Sequence, residues 1–103
     1  MAIATVIQVQ AREGRFDETL KLLSDAKAII ERLGGRVRVR STVIGGEPNR
    51  IAFISEVDDW ARFGELRAKA ESDSELQALQ ARQRSNPVAD ITQTLVVQDV
   101  PLP

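Results

Sequence analysis

The chain contains no cysteine, no histidine and no tyrosine. Without cysteine there is no disulfide, no thiol nucleophile and no thiolate metal site. Without histidine the commonest general acid–base residue is gone. The three absences together remove the usual axial ligands of haem, so bound haem would need a ligand of another kind. Cationic excess is missing too: 14 Lys and Arg face 15 Asp and Glu, a net charge of −1. No positive field gathers nucleic acid or an anionic membrane. No apolar run approaches the roughly 18 residues of a membrane-spanning helix. The first residues, MAIATVIQVQ, show no basic n-region and no cleavage site, so a cytoplasmic protein is expected.

What is present is an ordinary globular balance, 43% apolar and 28% charged over 103 residues. That length suits one domain, residues 1–103. A chain of this size buries roughly 60% or somewhat more of its unfolded surface, so a partner subunit would help it.

The stretch Arg36–Val57, RVRVRSTVIGGEPNRIAFISEV, organises the rest. Apolar and charged residues alternate on both arms, and Gly45-Gly46-Glu47-Pro48-Asn49 lies between them. The pattern predicts a hairpin with strands Arg36–Ile44 and Ile51–Val57. Placing Val43 opposite Phe53 sets Ser41 opposite Ser55, Arg40 opposite Glu56 and Arg38 opposite Asp58. Val37, Val39 and Val43 then share a face with Phe53 and Val57, and a one-residue slip would carry arginines into that face.

Upstream, Ile3–Ala11 alternates as a strand. A helix follows over Phe16–Leu33, with Leu20, Leu23, Ala26 and Ile30 on its apolar stripe and Gly34-Gly35 ending it. Downstream, Asp58 or Asp59 caps a second helix whose buried face is Trp60, Phe63, Leu66 and Ala70. The spacing Ser72-x-x-Glu75 predicts a break and a fresh helix to about Arg84. A fourth strand is expected over Ala89–Gln98, with Ile91, Leu95 and Val97 on the apolar face. The order is βαββαβ. It predicts an α+β, ferredoxin-like fold, a four-stranded antiparallel sheet with the helices on one face. The other face, with Gln8, Gln10, Arg38, Arg40, Glu56, Thr92 and Thr94, is left without cover by this chain.

Five features are candidates for a ligand site. The row Arg36, Arg38, Arg40 either holds an acidic ligand through its forked donors or blunts an edge strand with charge. Trp60 is either core or a ring over a pocket between helix and sheet. Ser41 and Ser55 either bond locally or line a cavity under the helices beside Phe53. A serine nucleophile is excluded, with no histidine and no G-x-S-x-G. The expected ligand-binding set is Trp60, Phe53, Ser41, Ser55, Arg38 and Arg40, with no metal site, no cofactor and no assignable catalytic residue. RNA-recognition domains share this topology but stack bases on aromatics of the central strands. Here the first strand has none and Phe53 points to the helix side, so no nucleic-acid partner is expected.

With strand, acidic turn, helix, Ser/Asp break and helix in the segment EVDDWARFGELRAKAESDSELQALQARQ, the chain resembles the dimeric α/β-barrel superfamily. The similarity is to its NIPSNAP and antibiotic-biosynthesis-monooxygenase-like branches, over nearly the full length. The resemblance implies a homodimer in which two sheet faces close a barrel. It also implies binding of a small molecule, or cofactor-independent oxygenation of an aromatic or polyketide-type substrate in the helix–sheet cavity. Haem-degrading members use an Asn, Trp and His set; this chain has Asn49, Asn86 and Trp60 but no histidine.

Overall fold

In a computed structural model describing residues 1–103, alternation along the chain resolves into seven elements. They are β1 (Ile3–Ala11), α1 (Phe16–Arg32), β2 (Arg36–Ser41), β3 (Arg50–Val57), α2 (Trp60–Ser72), α3 (Ser74–Ser85) and β4 (Ala89–Gln98). The strands form one antiparallel sheet in the order β2-β3-β1-β4. This is the ferredoxin-like arrangement with its second helix split in two. No helix is long and apolar enough to cross a membrane.

The core lies between one sheet face and the helices. Val9, Leu23, Val37, Ile51, Phe53, Val88 and Ala89 are buried together, with Ile7, Leu22, Ala26 and Ile30 packed against them. Each large apolar side chain so buried contributes about 1.5–3 kcal/mol. Helix α1 ends where Gly34 takes φ 111°, a left-handed conformation that glycine adopts without strain. Gly35 follows in close approach. A Cβ there would stand 2.7 Å from Ile30 Cγ2 and 3.3 Å from Leu66 Cδ2, so the turn is packed under both helices.

The hairpin register differs from the expected one by four residues. Val39, not Val43, lies opposite Phe53, and Val37 lies opposite Ser55. Strand β2 therefore stops at Ser41, which faces Ile51 and not Ser55. Continuing the ladder would set Val43 opposite Asn49 and Ile44 opposite Pro48. Asn49 has φ 61° and proline has no N–H to donate, so pairing ends there. The shift is even, so each side chain keeps its predicted face, but the charge pairs change. Arg36 reaches Asp58 at 2.7 Å and Glu56 at 3.7 Å, Arg38 reaches Glu56 at 4.0 Å, and Arg40 faces Ala52.

Strand β4 corrects a second expectation. Gln8 pairs with Gln93 and Val9 with Ile91, so Thr92 is an extra residue, a β-bulge, and its hydroxyl donates to Gln8 O at 3.3 Å. Beyond it the alternation changes phase. Directly paired residues share a face, so Leu95 joins Val6 and Val97 joins Ala4 on the open side. Thr94 and Val96 turn to the helix side instead, opposite Ile7 and Thr5. The uncovered face is thus greasier than predicted. Ala4, Val6, Ile54, Leu95 and Val97 form its centre, with Arg36, Arg38 and Arg40 along the β2 edge.

The break after α2 is made by Asp73 and not by the Ser72–Glu75 pair. Its carboxylate accepts from Leu76 N–H at 2.9 Å, capping α3, and from Arg32 Nη2 at 2.8 Å. A charged acceptor with a charged donor outcompetes a serine hydroxyl, which here folds back onto Ala68 O and Lys69 O at 3.3 Å. The Arg32 bond, followed by that from Leu76, holds the Asp73 carboxyl below its ordinary pKa. Arg12 does the same for Asp90. A depressed folded pKa gives stability that is present above the unfolded value and lost as pH falls through the folded one. Stability should therefore decline at about pH 4 and below, and Asp73→Asn should flatten part of that decline in pH-dependent urea titrations. An unchanged acid limb in the variant would show that the Arg32 bond does not form.

Candidate functional site

Helices α1 and α3 cross the sheet without filling the space beneath them. A cavity of about 410 Å³ remains, bounded by both helices and by β1, β3 and β4. Its sheet wall is Ile7, Val9, Phe53, Ala89 and Ile91, and its helix wall is Leu22, Leu23, Ala26, Ile30, Leu76 and Leu79. All eleven are apolar; only Thr19, Gln80, Gln83 and Arg84 are not. That volume falls within the range of small-molecule pockets, about 300–1,000 Å³.

Two of the polar four are already committed to the fold. Thr19 is fully buried, with its hydroxyl 2.8 Å from Arg15 O and 3.1 Å from Val88 O, the two carbonyls sharing its one proton. Gln83 clamps the start of β4. Its Nε2 donates to Ala89 O at 2.7 Å, and its Oε1 accepts from Val88 N–H at 3.1 Å. The amide thereby serves backbone groups that the Asn86-Pro87 turn leaves unpaired. No carboxylate lines the cavity, and no cluster of three or more His, Cys, Asp or Glu side chains is placed to hold a metal ion. Its chemistry is solvation by hydrocarbon, with a polar rim on α3.

Of the six residues the sequence singled out, Phe53 alone reaches this cavity. Ser55 is half-buried two residues further along β3, opposite Val37. Ser41 is exposed at the end of β2. Arg38 and Arg40 lie on the open sheet face, exposed. Trp60, expected in the core, is 55% exposed. It is the first residue of α2, just past the Asp59 cap that accepts from Arg62 N–H at 2.8 Å, and α2 buries no residue fully. Its indole packs edge-to-face on Phe63, ring centroids 5.4 Å apart. Sequence reasoning passed over Thr19, Gln80, Gln83 and Arg84. The repeat of long polar residues at 80, 83 and 84 beside Leu76 and Leu79 was the available signal: polar groups flanking an apolar helical stripe.

No family model matches the chain, and no curated protein does. Solved structures do. An uncharacterised NIPSNAP domain protein from Burkholderia xenovorans aligns over 99% of this chain and 95% of its own, with TM-score 0.74 at 22% identity. A NIPSNAP family protein from Agrobacterium tumefaciens aligns over 99% and 94%, with TM-score 0.71 at 21% identity. A candidate antibiotic biosynthesis monooxygenase from Chloroflexus aurantiacus aligns over 98% and 95%, with TM-score 0.68 at 14% identity. The fold is the one these proteins share. The resemblance drawn from the sequence, to the NIPSNAP and antibiotic-biosynthesis-monooxygenase-like branches, therefore holds at the level of fold.

The exposure of Trp60 sets an expected outcome. Trp60→Ala should lower unfolding free energy by about 1 kcal/mol, the scale of one aromatic pair. Urea unfolding checks it. A loss of about 3–5 kcal/mol, typical of a core aromatic, would contradict the exposed position.

Proposed function

We propose that residues 1–103 form a single domain that pairs with a second copy through the open sheet face and binds a small apolar molecule in the cavity under α1 and α3. The single observation that carries the binding reading is the cavity itself, about 410 Å³ walled by eleven apolar side chains. Its apolar lining, more than its size, is what suits it to an apolar occupant. Lining side chains that lack partner atoms lose dispersion contacts, and filling it would stabilise the fold. Phe53 is the part of the expected ligand set that touches such a molecule.

Pairing rests on the phase change at Thr92. It moves Leu95 and Val97, 43% and 44% exposed, onto the uncovered face beside half-buried Val6 and the buried Ile54. Contiguous exposed apolar side chains rimmed by charge are the usual mark of an interaction site. The pair would enclose Arg38 and Arg40 at the margin of its interface, where they either meet the partner or face an acidic ligand. A cytoplasmic placement belongs to the same proposal.

A second reading is cofactor-free oxygenation of an aromatic or polyketide-type substrate in the same cavity. The likeness to the Chloroflexus protein favours it. The walls supply no general base, so the substrate would have to furnish its own carbanion, with the protein contributing a dry environment. Binding without chemistry requires less of these residues and is preferred.

Two experiments test the two halves. For the cavity, decanol should shift the amide NMR signals of Ala26, Leu79 and Ile91, and Ala26→Met, which fills the space, should weaken binding by about tenfold or more. Shifts scattered over the surface, or none, would overturn the cavity reading. For the pair, sedimentation should give twice 11.4 kDa for the native chain. Leu95→Asp should halve that mass, and Val96→Asp, one residue on and on the opposite face, should leave it whole. Equal effects of the two variants would contradict the face assignment.

A further inference from the structure

Most cations in this chain have a carboxylate partner. Of 14 Lys and Arg, ten lie within 4.0 Å of an Asp or Glu oxygen. Arg40, Arg50, Lys69 and Arg84 do not. Arg84 is the one of these four that lines the cavity. Its neighbour Arg82, two residues back and turned outward, has Asp25 at 3.9 Å. Arg84 is exposed at the rim, so its guanidinium stays hydrated while its methylene stem borders the apolar wall.

The polar inventory of the cavity narrows what it can recognise. Thr19 has spent its single hydroxyl proton on backbone carbonyls, and Gln83 is held to the start of β4 through one Nε2–H and its Oε1. Gln80 and Arg84 are not so committed: neither side chain makes a hydrogen bond within the chain. They stand four residues apart on α3 and so share one helix face. The remaining wall is hydrocarbon. The site therefore offers one anion-binding fork with an amide beside it, at one end of a greasy chamber.

We infer that the ligand of this cavity is an amphiphilic carboxylic acid, its apolar body between α1, α3 and the sheet and its carboxylate on Arg84, with Gln80 beside it. The inference rests on the binding reading above and adds the head group to it. A planar guanidinium matches a carboxylate with two parallel N–H···O bonds, and a charge-assisted pair of this kind is about twice as strong as a neutral one. Arg84 also sits in the last turn of α3, where a cation suits the helix dipole. That role would appear in stability and would not distinguish an acid from an alcohol.

The test uses decanoate and decanol with the native chain, Arg84→Gln and Arg84→Lys, with affinities from calorimetry at neutral pH. Arg84→Gln should weaken decanoate by about tenfold and leave decanol within about twofold, because only the acid forms the charged bond. Arg84→Lys should restore part of the loss, and added salt should weaken decanoate alone, since the rim is exposed. If both probes bind and Arg84→Gln leaves decanoate unchanged, the head-group inference falls while the cavity reading stands. If neither probe binds the native chain, the cavity reading falls and this inference with it.

Discussion

A four-stranded sheet has two faces, and this chain has helices for one. The treatment of the second face sets the character of the molecule's surface. On it, Ala4, Val6, Ile54, Leu95 and Val97 meet across three strands, and the arginines of β2 stand along one side. The insertion of Thr92 produces this. Strand side chains alternate with period two, so one extra residue exchanges the two faces for every position beyond it. Without the bulge, Leu95 and Val97 would point at the helices and the open face would be the polar surface that simple alternation predicts.

The covered face shows the complementary compromise. Helix α1 packs along β2 and β1 through Leu23, Ala26 and Ile30. The second helical segment is broken at Asp73, so its halves take different directions. Helix α3 lies against α1, while α2 rests on β3 and buries no residue fully. The single carboxylate that ends one helix and caps the next also grips Arg32 at the end of α1. It therefore ties the start of α3 to the end of α1, the two helices that roof the cavity.

Much of this fold was legible in the residues. The bounds of β1 and β4, the Gly34-Gly35 stop and an aspartate cap at 58 or 59 follow from alternation, turn chemistry and capping alone, because each depends on neighbours close in sequence. The hairpin register was legible in parity but not in position. Alternation cannot tell a shift of four from none, and the deciding groups, Pro48 without an N–H and Asn49 at φ 61°, act only once their partners are named. The bulge left no trace in ITQTLVV, where polar and apolar residues are equally compatible with either phase. Asp73 won over Ser72 through Arg32, forty-one residues away, which no local spacing could reveal. The cavity was harder still. Its walls come from five elements, so Phe53 was reachable by face assignment, whereas Thr19, Gln83 and Arg84 mattered only after α3 was placed.

The account depends most on the claim that the open face meets its own copy. Isotope-filtered NMR on a mixture of labelled and unlabelled chains reads that contact directly. Intermolecular NOEs from the methyl groups of Leu95 and Val97 to Val6 or Ile54 of another chain are the predicted result. Intermolecular NOEs confined to helix residues, or their complete absence from a chain of mass 11.4 kDa in solution, would contradict it.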